Sequence, residues 1–264
     1  MSVDPKTIAF AHRLADASGA IIRPFFRQRI EVVDKGASVF DPVTEADKGA
    51  EEAIRAIIHA ERPEDGILGE EYGEHPGTNG RRWVLDPVDG TRAFITGRHE
   101  WGSLIALEEG ERPVLGILDQ PVLGERFIGV NGRSEFHFAD TVMKLEAREC
   151  TDLSQAVLCA THPTAYFNEA ERAALTRIER ITRLSRYGGD CYVFGLLAMG
   201  FVDLIVESTF KRWDVAALIP IVEGAGGVIT DWRGNSCHEG GQAVASGDPR
   251  LHEQALALLK DAAN

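Results

Sequence analysis

Trp83-Val-Leu-Asp86-Pro-Val-Asp89-Gly-Thr91 opens as an apolar, strand-prone run and then releases two carboxylates from the sheet edge. Pro87 stiffens the turn that follows and Gly90 frees it. Such a turn can place Asp86, Asp89 and the intervening Val88 carbonyl around one hard cation, which takes oxygen ligands. By turn chemistry alone, an ordinary surface Pro-x-Asp-Gly turn explains the same residues at least as well.

Upstream, Asp4-Pro5 reads as a cap followed by proline at the first helical position. Ile8, Ala11, Leu14, Ile21, Ile22 and Phe25 then recur at helical spacing. Thr44 caps a second helix that carries Ile54, Ile57 and Ile58 and stops before Pro63, with Asp47 in its first turn. From Ile67 to Gly132, short apolar runs broken by Gly, Pro and Asn predict strands, among them Leu104–Leu107, Val114–Leu118 and Arg126–Val130. Further along, Val157–Ala160 and Val202–Val206 read as strands, and Asn168–Arg180 and Asp190–Met199 as helices. An apolar helix is expected from Asp214 toward Gly224, stopped by Ala225-Gly-Gly227, with a strand over Val228–Trp232. Helix and strand signals mix without strict βαβ alternation.

The chain has 264 residues, 44% hydrophobic and 26% charged, within reach of one core or two fused halves. A formal charge of -13 argues against nucleic acid as a ligand, since that contact needs clustered Lys and Arg. Four cysteines without paired spacing, and a start with no basic and apolar leader, predict a reduced, cytoplasmic protein. The most apolar run, 192–206, is too short and broken to span a bilayer, so no membrane partner is expected. None of the histidines or cysteines stands with partners suggesting a protein nucleophile. The lone basic residues Lys35 and Arg186 read as solvated.

Acids recur at element ends: Gly69-Glu-Glu71 after one strand, and Trp213-Asp214 at a helix start. Each alone has a bland reading, Asp214 and Asp47 as helix-terminal charges. Together, Gly69-Glu-Glu71, Asp86-Pro-Val-Asp-Gly-Thr91 and Trp213-Asp-Val-Ala-Ala217 with Ala225-Gly-Gly227 resemble, in order, the three signatures of the inositol monophosphatase superfamily of Mg²⁺-dependent phosphatases.

That resemblance implies an α/β (α+β) fold, a layered α-β-α-β-α sandwich of the inositol monophosphatase and fructose-1,6-bisphosphatase type. Residues 1–264 would form a single unit with an N-terminal α+β half over about 1–140 and a C-terminal α/β half over about 141–264. It implies that Glu70, Asp86 and the Val88 carbonyl hold one Mg²⁺, that Asp86, Asp89 and Asp214 hold a second, and that a weaker third ion binds at Glu70. Two cations would clamp an in-line displacement, one activating water and one stabilising the leaving alkoxide. Thr91 and Asp47 would orient the water, and Gly90 and Thr91 would receive the phosphate. A homodimer is implied as well.

For the substrate, the run Tyr187–Tyr192 through Gly200, then Val202–Glu207, resembles the histidinol-phosphate phosphatase branch more than the inositol branch. Asp190 stands where the inositol enzymes carry a small apolar residue. With Glu207 it would favour a cationic alcohol through charge-assisted hydrogen bonds, joined by Asp214 in the substrate site. The competing reading of Asp190 is a cap on the helix beginning at Cys191. The expected activity is hydrolysis of L-histidinol phosphate to L-histidinol, a step of histidine biosynthesis. The alternative is an inositol-1-monophosphatase of broad specificity, and a reading of another class is a non-catalytic interaction protein. Lys211-Arg212 places two cations beside Asp214, a departure from the pattern of that branch that bears on specificity rather than on the chemistry.

Overall fold

A computed structural model describes residues 2–29, 31–34 and 42–264, so Lys35 lies outside the described residues. Asp4 accepts from the amides of Lys6 and Thr7 and caps the helix Pro5–Ile22. Thr44 caps Glu45–Glu61, whose last turn ends just before Pro63. Both helices lay their apolar faces on one sheet, where Phe10, Leu14, Ile54 and Ile58 meet Trp83, Leu85, Ile105 and Ile117.

That sheet has eight strands, in the order Thr141–Lys144, Arg133–Phe138, Glu125–Val130, Arg112–Gln120, Gly102–Glu109, Arg81–Asp89, Gly66–Gly69 and Gly73–His75. Its pairings are antiparallel except between Gly66–Gly69 and Arg81–Asp89. The sheet is buried on both faces. Along Arg81–Asp89, Trp83 and Leu85 face the two helices, while Val84 faces a second core with Leu104, Ala106, Leu118 and Phe127. This accounts for apolar runs in the sequence that do not alternate.

The second core is filled by the helices Tyr192–Ala198 and Leu218–Gly224 and closed by one face of a five-stranded sheet. Its order is Leu184–Tyr187, Val157–Ala160, Leu204–Phe210, Gly241–Ser246 and Val228–Thr230, with the first three strands parallel. The far face packs under the helices Glu169–Glu179 and Pro249–Leu259. The layers are therefore α-β-α-β-α, as expected. The first sheet extends to Lys144, a few residues past the expected boundary between halves.

Two glycines let the central helix approach the sheet. Gly116 and Gly129 are cross-strand partners, and a Cβ on them would lie 2.0 Å from the Ala217 carbonyl oxygen and 2.1 Å from that of Pro220. Side chains there would push the Leu218–Gly224 helix, and with it Asp214, away from the strand that carries Asp86.

Several expected elements differ. The helix read from Asp214 to Gly224 is two short helices, Arg212–Val215 and Leu218–Gly224. Pro220 explains the break, because its ring cannot follow a helical carbonyl four residues back. The strand read over Val202–Val206 is Leu204–Phe210 and continues past Glu207 through a bulge. Asp190 does not cap the following helix. That helix starts at Tyr192 with Cys191 in the cap position and no side-chain cap bond. The strand Gly241–Ser246 and the helix Pro249–Leu259 were not anticipated. All four cysteines are free and buried, and among the described residues no helix is long and apolar enough to cross a membrane.

Candidate active site

The segment Asp86–Asp89 is a bulged end of the strand rather than a turn beyond it. In the pairing with Gly102–Glu109, Asp86 sits opposite Leu104 and Asp89 opposite Gly102, so one extra residue is inserted between them. In a regular strand, side chains three apart point to opposite faces. The insertion returns Asp89 to the face of Asp86. Pro87 fits the bulge because it needs no ladder donor, and its carbonyl accepts the buried Ser103 hydroxyl at 2.6 Å. Gly90 follows at φ 87°, where a Cβ would come within 3.0 Å of the Asp190 Cβ, the Glu100 carbonyl oxygen and the Trp101 Cβ.

Two further elements deliver acids to that face. Glu70 leaves the neighbouring parallel strand, its amide bonded to the Leu85 carbonyl at 3.2 Å. Asp214 lies in the helix Arg212–Val215, where its carboxylate accepts the Lys211 amide at 2.7 Å. Asp86, Asp89 and Asp214 each present a carboxylate oxygen within 4.8 Å of the others. Asp86 also accepts the Val88 amide at 3.1 Å, and Asp89 the Cys191 amide at 2.7 Å.

Burial pushes Asp86 and Asp214 well above the usual carboxylate range, reinforced for Asp86 by the charges of Glu70, Asp89 and Asp214 and for Asp214 by those of Asp89 and Glu70. Asp89 is raised by burial too, against the lowering effect of the Cys191 bond. Glu70 adds to the crowding at Asp86. Carboxylates crowded this way, all hard oxygen donors, suit a divalent cation. The Val88 carbonyl accepts the Thr91 hydroxyl at 3.0 Å and has a lone pair to spare.

Arg212 does not compete for this cluster. Its guanidinium turns to Glu108 at 2.9 Å and Glu239 at 2.5 Å, and Glu108 is bound on its other oxygen by Arg82.

Asp47 is buried in the first turn of its helix, accepting the Thr44 amide at 2.9 Å and hydroxyl at 2.5 Å. Burial raises it to about 6 despite those bonds. It makes no hydrogen bond to Thr91 among the described residues, although its neighbour Ala46 packs with Val88 and Ala93 on either side of Thr91.

Glu207 and Asp190 come from the other sheet. Glu207 is fully buried, accepts the Thr161 amide at 2.7 Å and hydroxyl at 2.8 Å, and is pushed by burial to about 8. Asp190 ends a run in which Gly188, Gly189 and Asp190 itself all have positive φ, 43° at the aspartate. A non-glycine residue in that region is strained, and here it faces Asp89 and Gly90. Burial and the Asp89 charge raise Asp190 to about 8, opposed by Arg98 and Arg92. Glu70, Asp86 and Asp89 thus come from the first sheet, Asp214 from the short helix after Leu204–Phe210, Glu207 from within that strand, and Asp190 from the loop after Leu184–Tyr187.

The inositol monophosphatase family profile matches residues 4–263. The chain belongs to the inositol monophosphatase family. It is 44% identical to the bifunctional phosphatase IMPL2, chloroplastic, of Arabidopsis thaliana, over 96% of this chain and 74% of that one. It is 35% identical to a histidinol-phosphatase of Chlorobaculum parvum, over 96% of both. A solved inositol monophosphatase from Zymomonas mobilis superposes with a TM-score of 0.87 at 44% identity, covering 98% of this chain and all of that one. The protein is thus a phosphatase of a metal-dependent family that acts on small phosphorylated substrates, and its acidic cluster is able to hold metal.

This family member also uses residues that spacing did not single out. Glu51, buried in the second helix and paired with Arg55 at 2.7 Å, accepts the amides of Glu71 and Tyr72 and holds the Glu70 corner. A Cβ on Gly69 would sit 2.0 Å from it. Thr161 and the Cys191 amide brace Glu207 and Asp89. Only the Glu51–Arg55 spacing left a trace in the sequence, as an ordinary helical ion pair.

Proposed function

We propose that the protein hydrolyses L-histidinol phosphate to L-histidinol and phosphate by in-line attack of water. The observation that carries this reading is the pair of buried carboxylates, Asp190, which lies against Gly90 and Asp89, and Glu207, which Thr161 braces. A leaving alcohol bearing an ammonium and an imidazole offers donors to both, whereas inositol offers hydroxyls alone. Relatives named histidinol-phosphatase over nearly the whole chain support it.

In this reading Glu70, Asp86, the Val88 carbonyl, Asp89 and Asp214 hold two Mg²⁺, with a weaker third ion at Glu70. The bound cations supply Lewis-acid activation of water and offset the charge on the leaving oxygen. Gly90 and Thr91 begin a short helix whose first amides have no acceptor within it and are assigned to the phosphoryl oxygens. The Thr91 hydroxyl gives its proton to the Val88 carbonyl, so its oxygen is left to accept a hydrogen bond from the attacking water. Glu70 orients that water from the opposite strand, and Asp47 is the assigned acceptor for the proton the water sheds. Asp214 is shared between metal and substrate.

Phosphate release by the Mg²⁺-loaded enzyme, compared across histidinol phosphate, inositol 1-phosphate and adenosine bisphosphate, tests the assignment. A preference of about tenfold or more for histidinol phosphate is expected. A preference for inositol phosphate would replace it with the alternative, for which the Zymomonas structure speaks. A cytoplasmic homodimer, with halves meeting near residue 141, completes the reading.

A further inference from the structure

We propose that Tyr166, clamped by Arg92, is a specificity-determining residue whose ring stacks on a planar aromatic group of the departing alcohol. This inference deepens the histidinol phosphate reading and rests on its placement of the alcohol end.

Tyr166 closes the short helix Pro163–Tyr166, which begins two residues after Thr161, the residue that braces Glu207. The next anchor comes from the other sheet. Arg92 directly follows Thr91, and its guanidinium carbon lies 5.0 Å from the Tyr166 ring centroid. The ring therefore joins the segment after Thr91 to the segment after Thr161. His162 meets it edge-on, with centroids 6.3 Å apart at 83°, and its remaining surface is partly buried against the core beneath the five-stranded sheet.

A ring fixed by a cation, an imidazole and the core loses little further freedom when a ligand packs on it. Among the described residues its hydroxyl makes no hydrogen bond. Burial, against the lowering effect of Arg92 and with the charges of Asp190, Asp89 and Glu207, keeps that hydroxyl protonated, pushed up to about 12. It is thus a standing donor at the edge of a flat apolar surface. A flat surface with one donor suits an aromatic alcohol. A polyol instead requires a hydrogen-bond partner for each hydroxyl it buries.

The test separates ring stacking from the histidinol assignment. Mg²⁺-loaded wild type, Tyr166→Phe and Tyr166→Leu would be assayed on 2-phenylethyl phosphate and on its saturated analogue, 2-cyclohexylethyl phosphate, with the unfolding midpoint of each variant recorded. The readout is the ratio of kcat/KM for the planar over the saturated ester. We expect a ratio of about three to ten in wild type, the size of an aromatic pair's extra attraction, retained in Tyr166→Phe and near one in Tyr166→Leu. A wild-type ratio near one overturns the inference, as does a ratio that survives Tyr166→Leu. Histidinol phosphate against inositol 1-phosphate in wild type decides the substrate reading separately, so either conclusion can fail while the other stands.

Discussion

The two ends of the cleft hold their carboxylates by opposite means. At the end assigned to metal, Asp86, Asp89 and Asp214 crowd within 4.8 Å, and backbone amides from Val88, Cys191 and Lys211 orient them without cancelling their charge. At the end proposed for the alcohol, Glu207 is braced twice by Thr161, and Asp190 lies between the charge of Asp89 and those of Arg98 and Arg92. The first end is a repulsive cluster that a cation relieves. In the proposed reading the second is a pair of carboxylates that would receive a cationic ligand. Chemistry and selectivity would then be separable by mutation.

The largest expected break in that comparison is Asp89→Asn. Losing one carboxylate of the cluster should lower kcat/KM by about 10³-fold or more on every phosphate ester, since a metal ion contributes several kcal/mol at the transition state. The variant should remain folded, because it relieves repulsion rather than opening a cavity. Calorimetric Mg²⁺ titration alongside phosphate release checks both points, and full activity in Asp89→Asn would remove the metal assignment. Asp190→Asn should act differently. A charge-assisted hydrogen bond contributes about 1.5–3 kcal/mol, so histidinol phosphate turnover should fall roughly ten- to a hundredfold, chiefly through KM, with a much smaller effect on inositol 1-phosphate. Equal losses on both esters would place Asp190 with the metal end.

Thr161→Val sharpens the alcohol end more gently. It deletes the hydroxyl donor to Glu207 and keeps the amide donor and the shape, so a loss of about fivefold in kcat/KM for histidinol phosphate is expected. An unchanged KM would mean that Glu207 does not touch the substrate.

The same contrast explains what could be read from the chain before its fold was known. The acid cluster was legible because Asp86, Val88, Asp89, Gly90 and Thr91 are consecutive, and Glu70 and Asp214 lie at element ends marked by Gly and Trp. What stayed hidden there was the bulge, since the pairing of Asp89 with Gly102 is a property of two strands and not of one. At the end proposed for the alcohol, Asp190 was legible as a charge but not as a strained residue at positive φ, and a helix cap was its competing reading. Thr161 and Tyr166 left no signal. They reach the cleft only because parallel strands bring their carboxyl ends together, and Tyr166 meets Arg92 only across the two sheets. The helix misread from Asp214 to Gly224 shows a different limit, because its apolar spacing outweighed Pro220 in the reading.

A further effect is on stability, and its sign follows from the direction of the shifts. Glu207 titrates near 8 in the folded state against 4.5 for the free side chain, and Asp86 and Asp214 are also raised. Between those values the folded state binds more protons than the unfolded one, so these groups favour folding below about pH 4.5 and work against it as pH rises through their folded pKa. Metal-free protein should accordingly lose unfolding free energy from pH 5 to pH 8 in a denaturant titration, by several kcal/mol. Saturating Mg²⁺ should restore the acid cluster's share of that at pH 8 and little at pH 5, because a cation binds the deprotonated cluster. Glu207→Gln should flatten the part of the slope that persists with Mg²⁺ present, and Asp89→Asn the part that Mg²⁺ removes. If both substitutions flattened the same part, the two ends would titrate as one unit, and the separation of chemistry from selectivity would not hold.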